Sequence, residues 1–305
     1  MVEQLLKRYM WLINALRNGE RLTYEEISDK WDNSSVNDAH VDLTKRTFYN
    51  HCKAIEKEFG IYIECQRGRG LNMYYISNLE VLDDNSLVKW TVDNFSISET
   101  LMDNRSISEK ILLEEIPSGC QWLDIILKAL KQNLELDLVY KNFAGKKFEG
   151  NIRPLCVKLF KRRWYVLAEI PRVGKRIFSL DRINNLKLSP TRFQYPKKFI
   201  PSDYFKDIYG IIANVDRNIE DIIIRCYHEL PYYLRSLPIH KSQKEIKTTS
   251  EFTDFSLRLV PTFDFIQELL LHRDQLEVIA PESLRNEIKE ITLRMNDLYN
   301  KDVEL

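Results

Sequence analysis

Glycine is scarce in this chain, with nine among 305 residues. The loops that cradle nucleotide phosphates place several glycines close together, and no such run is present. Cysteine is sparse too: five residues, at positions 52, 65, 120, 156 and 226, without a Cys-x-x-Cys pair. The five histidines are isolated from one another, and none sits in a metal-ligand spacing. Free thiols in a reducing compartment are the expectation. Apolar runs long enough to span a bilayer are missing, as is a basic start followed by an apolar stretch, so neither a membrane span nor a signal peptide is expected. A cytoplasmic protein without cofactor follows as the expectation. No nucleophile motif or paired carboxylates stand out, and the chain is not read as an enzyme.

Net charge is also lacking, with 45 basic and 45 acidic residues. The balance hides a segregated pattern. Residues 141–198 hold 16 Lys or Arg against three acids, Glu149, Glu169 and Asp181. Residues 79–117 and 199–305 each carry a net charge of −6. A length of 305 residues calls for two or three domains.

Residues 1–78 read as three helices and a hairpin. Leu5, Leu6, Tyr9, Leu12, Ile13 and Leu16 recur at helical spacing, and Gly19 stops that helix. Thr23-Tyr24-Glu25-Glu26 has the form of a capping box, which opens a short helix with Ile27 and Trp31 inward. A third helix is predicted from about Thr44 to Phe59, with Phe48, Cys52, Ile55 and Phe59 in one narrow sector. Lys45, Arg46, Tyr49, Asn50, Lys53 and Lys57 occupy the opposite sector, with Thr47 beside them. Such a face suits the DNA major groove, where Lys and Arg reach phosphates and guanines and Asn reads adenine. The runs 61–65 and 71–76 flank Gln66-Arg67-Gly68-Arg69-Gly70, a hairpin whose Arg67 and Arg69 would grip the backbone. Together these elements predict a winged helix-turn-helix that binds duplex DNA. The link from Asn33 to Leu43 is long for a tight turn. Either it holds extra helix, or the third helix begins earlier, near Asp42.

Residues 79–117 are acidic and read as short helices bridging domains. From Leu134 onward, alternation and turns predict about five short strands behind one helix, a small antiparallel barrel. Here Tyr140, Arg153-Pro154, Trp164-Tyr165-Val166 and Arg176-Ile177-Phe178-Ser179-Leu180-Asp181-Arg182-Ile183 resemble a WYL domain, with Val166 in place of the signature's leucine. The resemblance implies an Sm-like, SH3-type barrel that follows a winged helix in bacterial transcriptional regulators and senses anionic ligands such as nucleotides or short single strands. Carried over residue by residue, it implies a ligand site at Tyr140, Arg153, Tyr165, Ser179 and Arg182. Arg176 and Lys175 are neighbouring candidates. Two guanidiniums and three hydroxyls form a donor-rich set for an anion. Trp164 has two readings, base stacking or core, and Asp181 is a candidate to orient Arg182. Phe178 and Leu180 share a strand parity and are expected in the core, which would put Ser179 on the other face.

Residues 199–305 read as β-α-β-β-α-β with a last amphipathic helix, a ferredoxin-like sandwich. The resemblance implies a C-terminal extension that dimerises the protein or closes over the ligand site. Its acidic surface could pair with a partner's basic barrel.

The expected fold is thus an α+β multidomain chain: a winged helix-turn-helix at 1–78, a helical linker at 79–117, a WYL barrel at 118–195 and a ferredoxin-like α/β sandwich at 205–305. The expected function is a ligand-responsive transcriptional regulator, read as a repressor and homodimer. Its partners would be duplex DNA and an anionic small-molecule or oligonucleotide effector. The alternative is a single-stranded nucleic-acid-binding module that uses the basic barrel directly.

Overall fold

The computed structural model describes residues 2–34, 36–37, 41–68, 71–82, 87–112, 114, 119–212 and 217–301. The chain divides into two compact units, Met1–Glu114 and Glu115–Leu305.

The first unit begins with α1 (Val2–Leu16), β1 (Leu22–Thr23), α2 (Tyr24–Asp32) and α3 (Lys45–Phe59). It continues through the strands β2 (Ile63–Arg67) and β3 (Asn72–Ile76) to α4 (Leu87–Asp103). The capping box forms as expected: the Glu26 N–H donates to the Thr23 hydroxyl, and the Thr23 N–H donates to the Glu26 carboxylate at 2.8 Å. Helix α3 starts at Lys45, not near Asp42, because the Thr44 hydroxyl accepts from the Thr47 N–H and fixes its N-cap. It ends at Gly60, whose φ of +65° suits a left-handed C-cap. The long connection before α3 is tied to α2 by the Trp31 indole, which donates to the Val41 carbonyl at 2.6 Å.

The strands pair antiparallel in the order β1-β3-β2. Buried Leu12, Ile13, Leu16, Ile27, Trp31, Phe48, Ile55 and Tyr74 form one core beneath them. Of residues 79–117, expected as a linker, Val81, Leu82 and helix α4 pack against the core of this unit. Val92 is buried in the same core with Val88 and Phe95 against it, and Arg17 pairs with Asp93 at 2.8 Å.

The second unit opens with α5 (Leu123–Gln132) and five strands: β4 (Leu134–Lys141), β5 (Lys147–Phe160), β6 (Arg163–Ile170), β7 (Gly174–Ser179) and β8 (Ile183–Arg192). They pair antiparallel in the order β7-β6-β5-β4-β8. The closed barrel expected from the sequence is not what the described residues show, since no pairing joins β7 to β8. A 3-10 turn, Leu180–Arg182, carries the chain out of β7, and β8 then pairs with β4 at the far side of the sheet. Ile126 and Ala129 of α5 cover the apolar face with Leu136, Leu138, Ile152, Val166 and Phe178.

After α6 (Pro201–Tyr204) come β9 (Glu220–Tyr227), α7 (Leu230–Ser236), β10 (Lys244–Thr248), β11 (Phe252–Leu259), α8 (Phe263–Leu271), β12 (Leu276–Ala280) and α9 (Glu282–Tyr299). The four strands are antiparallel in the order β10-β11-β9-β12. Ile222, Ile224, Phe255, Leu257, Phe265 and Leu269 fill the space between this sheet and its helices.

Candidate functional site

A cleft of about 1110 Å³ opens in the second unit between the five-stranded sheet and helix α8. On the sheet side it is lined by Tyr140, Phe143, Tyr165, Phe178 and a set of cations, Lys146, Lys147, Lys175, Arg176 and Arg182. On the other side stand Ile211, Ile212, Phe263, Asp264 and Gln267.

Arg182 is the centre of the cationic wall. Its guanidinium lies 3.7 Å from the centroid of the Phe143 ring and 5.6 Å from that of Tyr140. Its Nε is buried without a hydrogen-bond partner. A buried N–H left unpaired costs free energy. The 3-10 turn that carries Arg182 is set by a neighbouring glycine. Gly119 has φ +68°, and a Cβ there would lie 2.3 Å from the Leu180 carbonyl carbon. One of the nine glycines is thus spent where no side chain fits.

Tyr140 and Tyr165 are both buried and both line the cleft. Burial raises the pKa of each phenol, and Arg182 partly opposes it at Tyr140, as Arg163 and Arg182 do at Tyr165. Both therefore stay protonated at neutral pH and can donate to an anion. Arg176 lines the cleft and is exposed, its guanidinium donating to the Lys175 carbonyl at 2.8 Å.

Two expected ligand residues lie elsewhere. Arg153 lines no part of the cleft: its Nε donates to the buried Glu135 carboxylate at 2.8 Å. The pair neutralises Glu135, so Arg153 serves the fold. Ser179 is fully buried at the end of β7, where it pairs with Tyr165, and it lines no part of the cleft. Its hydroxyl donates to Asp181, and its N–H donates to the Tyr140 hydroxyl at 3.4 Å. Asp181 faces Arg163 at 3.6 Å and so anchors the turn from below rather than orienting Arg182 directly. Trp164 packs against the sheet's core, which matches the second of its two readings.

The opposite wall was not legible in the sequence. Asp264 accepts from the Ile211 and Ile212 N–H groups at 2.7 and 2.8 Å. Gly210, at φ +81°, leaves no room for a Cβ, which would fall 2.4 Å from the Asp264 carboxylate. Lys158 donates to the Gly210 carbonyl and sits 4.1 Å from the Phe205 ring centroid. Burial lowers its pKa to about 8. These contacts pin the 210–212 strap to both the sheet and α8.

In the first unit, Lys45, Arg46, Tyr49, Asn50, Lys53 and Lys57 are exposed on α3, opposite buried Phe48 and Ile55. Lys45 is engaged, lying 4.9 Å from the Tyr24 ring centroid and 3.6 Å from the Glu25 carboxylate. Tyr49 shares a 2.8 Å hydrogen bond with Tyr74. Thr47 is half-buried, and its hydroxyl bonds that of Thr44 at 2.9 Å. Thr47 thus serves the cap. Arg46, Asn50, Lys53 and Lys57, at helical spacings of three and four, make one stripe. Arg67 is exposed at the end of β2, while Arg69 lies outside the described residues. His51 was missed in the sequence: it is buried on the core side, with Nε2 unpartnered. Burial, with Arg8 nearby, lowers its pKa to about 4.

No helix among the described residues is long and apolar enough to cross a membrane, and none of their His, Cys, Asp and Glu side chains form a group of three or more able to hold a metal ion.

Residues 121–188, which hold α5 and most of the five-stranded sheet, match the family model of the WYL domain. No curated protein matches the chain. Among solved structures it is similar to proteasome accessory factor B/C (PafBC) of Arthrobacter aurescens, at 16% identity and a TM-score of 0.41. That similarity covers 99% of this chain and 48% of PafBC, so the chain spans about half of that protein's length. A CRISPR Cas-related protein is similar at 10% identity and a TM-score of 0.40, covering 99% of this chain and 84% of that one.

Proposed function

We propose that this protein is a transcriptional regulator that binds duplex DNA through α3 and the β2–β3 hairpin and senses an anionic effector in its WYL cleft. The observation that carries the effector half is Arg182. A guanidinium stacked on an exposed aromatic ring, with a buried N–H lacking an acceptor, sits among four more cations and two protonated phenols. Phosphate chemistry suits such a set, because guanidinium and phenol both donate to phosphate oxygens.

The DNA half rests on the stripe Arg46–Asn50–Lys53–Lys57. The opposite face of α3 is held rigidly in the core by Phe48 and Ile55, so the stripe is presented on a fixed helix. Fixed polar side chains on an exposed helix can read base edges, while flanking lysines meet phosphates. The order of three helices followed by a hairpin is that of a winged helix.

A homodimer belongs to this reading. Leu87, Trp90 and Ile97 lie exposed on α4, on the side away from Val88, Val92 and Phe95. Sizing by light scattering tests it, and a monomer at all concentrations would exclude it. We read the regulator as a repressor; de-repression of a reporter when the gene is removed is the expected sign.

Selection from a random duplex library tests the DNA half. The wild-type chain is expected to enrich a motif, and Arg46→Ala with Asn50→Ala is expected to abolish enrichment while leaving thermal unfolding unchanged. Equal enrichment by both proteins would overturn the assignment of α3.

A further inference from the structure

The cleft has a second wall that lies outside the matched domain. Helix α8 is fixed by its cap and core. The Thr262 hydroxyl accepts from the Phe265 N–H at 3.4 Å and donates to the Tyr209 carbonyl at 3.2 Å, while Phe265, Ile266 and Leu269 are buried. Residues a turn apart on the other face, Phe263 and Gln267, therefore project into the cleft. Phe263 is 54% exposed. The Gln267 amide is exposed and has no hydrogen-bond partner among the described residues. Asp264, between them, has its carboxylate committed to the strap.

The two walls differ in chemistry. The sheet wall carries the cations and so takes charge. The α8 wall offers an exposed aromatic ring and a free amide, neither of which attracts an anion as such. A molecule that satisfies both has a charged part and a planar, hydrogen-bonding part. A volume of about 1110 Å³ leaves room for more than one such unit. Phe143, 80% exposed on the sheet wall, offers a second stacking surface. Single strands bind proteins in this way, with bases on aromatic rings and phosphates on cations. An amide that presents one donor and one acceptor pairs with adenine at N6 and N7.

Resting on the effector reading above, we infer that α8 sets the base selectivity of the cleft: Phe263 stacks a base of a short single strand, Gln267 reads it as adenine, and the sheet wall holds the phosphates. Specificity is thereby divided from affinity, with Gln267 deciding which base and Arg182 deciding that an anion binds at all.

Fluorescence anisotropy on the full-length chain with oligo(dA), oligo(dC) and oligo(dT) pentamers tests this. Wild type is expected to favour oligo(dA) by about tenfold or more, the discrimination of one good bidentate pair. Gln267→Ala should level the three affinities. Gln267→Glu, which only accepts, should shift preference toward oligo(dC), whose N4 amine donates. Phe263→Ala should weaken all three by about tenfold. Both residues are exposed, and ratios between ligands do not depend on the active fraction. Binding without discrimination in wild type, or discrimination that survives Gln267→Ala, overturns the inference and leaves the anion site standing. No binding of any pentamer overturns the inference together with the single-strand effector.

Discussion

Arg182 lies over Phe143, its guanidinium carbon 3.7 Å from the ring centroid, while its buried Nε has no hydrogen-bond partner. The contact places this charge against an aromatic ring in the lining of the cleft. Arg182→Ala is expected to weaken binding of short single strands by at least about tenfold at moderate salt, the loss of one charge-assisted hydrogen bond. Arg182→Lys should recover part of the charge but not the stack, and so part of the affinity. Anisotropy titrations check both, and unchanged affinity in Arg182→Ala would remove it from the site.

Arg153 gives the opposite outcome. Its partner Glu135 is buried, so Arg153→Ala strands a carboxylate. Because Arg153 is itself partly exposed, the cost should be moderate, about 1–2 kcal/mol in denaturant unfolding. Single-strand affinity of the folded protein should stay within about twofold of wild type.

Gly119 positions Arg182 through the backbone. A Cβ at this residue would meet the Leu180 carbonyl carbon and the Asp181 nitrogen at 2.3 and 2.4 Å. Gly119→Ala is expected to destabilise the second unit by about 1–3 kcal/mol, combining a positive φ with a clash. It should also weaken single-strand binding although it touches no ligand. Hydrogen exchange across 180–182 reads the displacement directly, and unaltered protection there would contradict it.

The first unit should be acid-sensitive through His51. Its pKa falls from 6.5 to about 4 on folding, since burial disfavours the charged ring. Between those values the unfolded chain binds the extra proton, so stability is present above pH 6.5 and is lost as pH falls toward 4. The loss amounts to about 3 kcal/mol at most. His51→Leu should flatten that part of the curve, measured by urea unfolding followed at the first unit's tryptophans. The same acid slope in His51→Leu would assign it elsewhere.

Local pattern made much of this fold legible. The Thr23–Glu26 box, the apolar sector of the third helix and the alternation of residues 134–141 each encode one element through neighbours in sequence, and each formed. What failed depended on partners distant in the chain. Arg153 looked like a ligand residue because a free arginine and one paired with Glu135 read alike. Ser179 looked available to a ligand because strand parity gives a face but not what covers it, and Ser179 is fully buried. The barrel looked closed because strand order cannot be counted from strand number. The α8 wall was invisible, since Phe263 and Gln267 lie about 80 residues beyond Arg182 in sequence and meet the cleft through the fold. Glycine scarcity was read as an exclusion, yet Gly119 and Gly210 each stand where a side chain would collide.

In the proposed regulator, one chain couples an anion in the cleft to duplex binding at α3. Duplex affinity, measured with and without a saturating oligo(dA) pentamer, tests it most directly. A regulator must show a change, the same factor must appear in pentamer affinity when duplex is saturating, and the pentamer concentration that produces it must rise by about tenfold in Arg182→Ala. Duplex isotherms that coincide with and without the bound pentamer in the wild-type protein would contradict it.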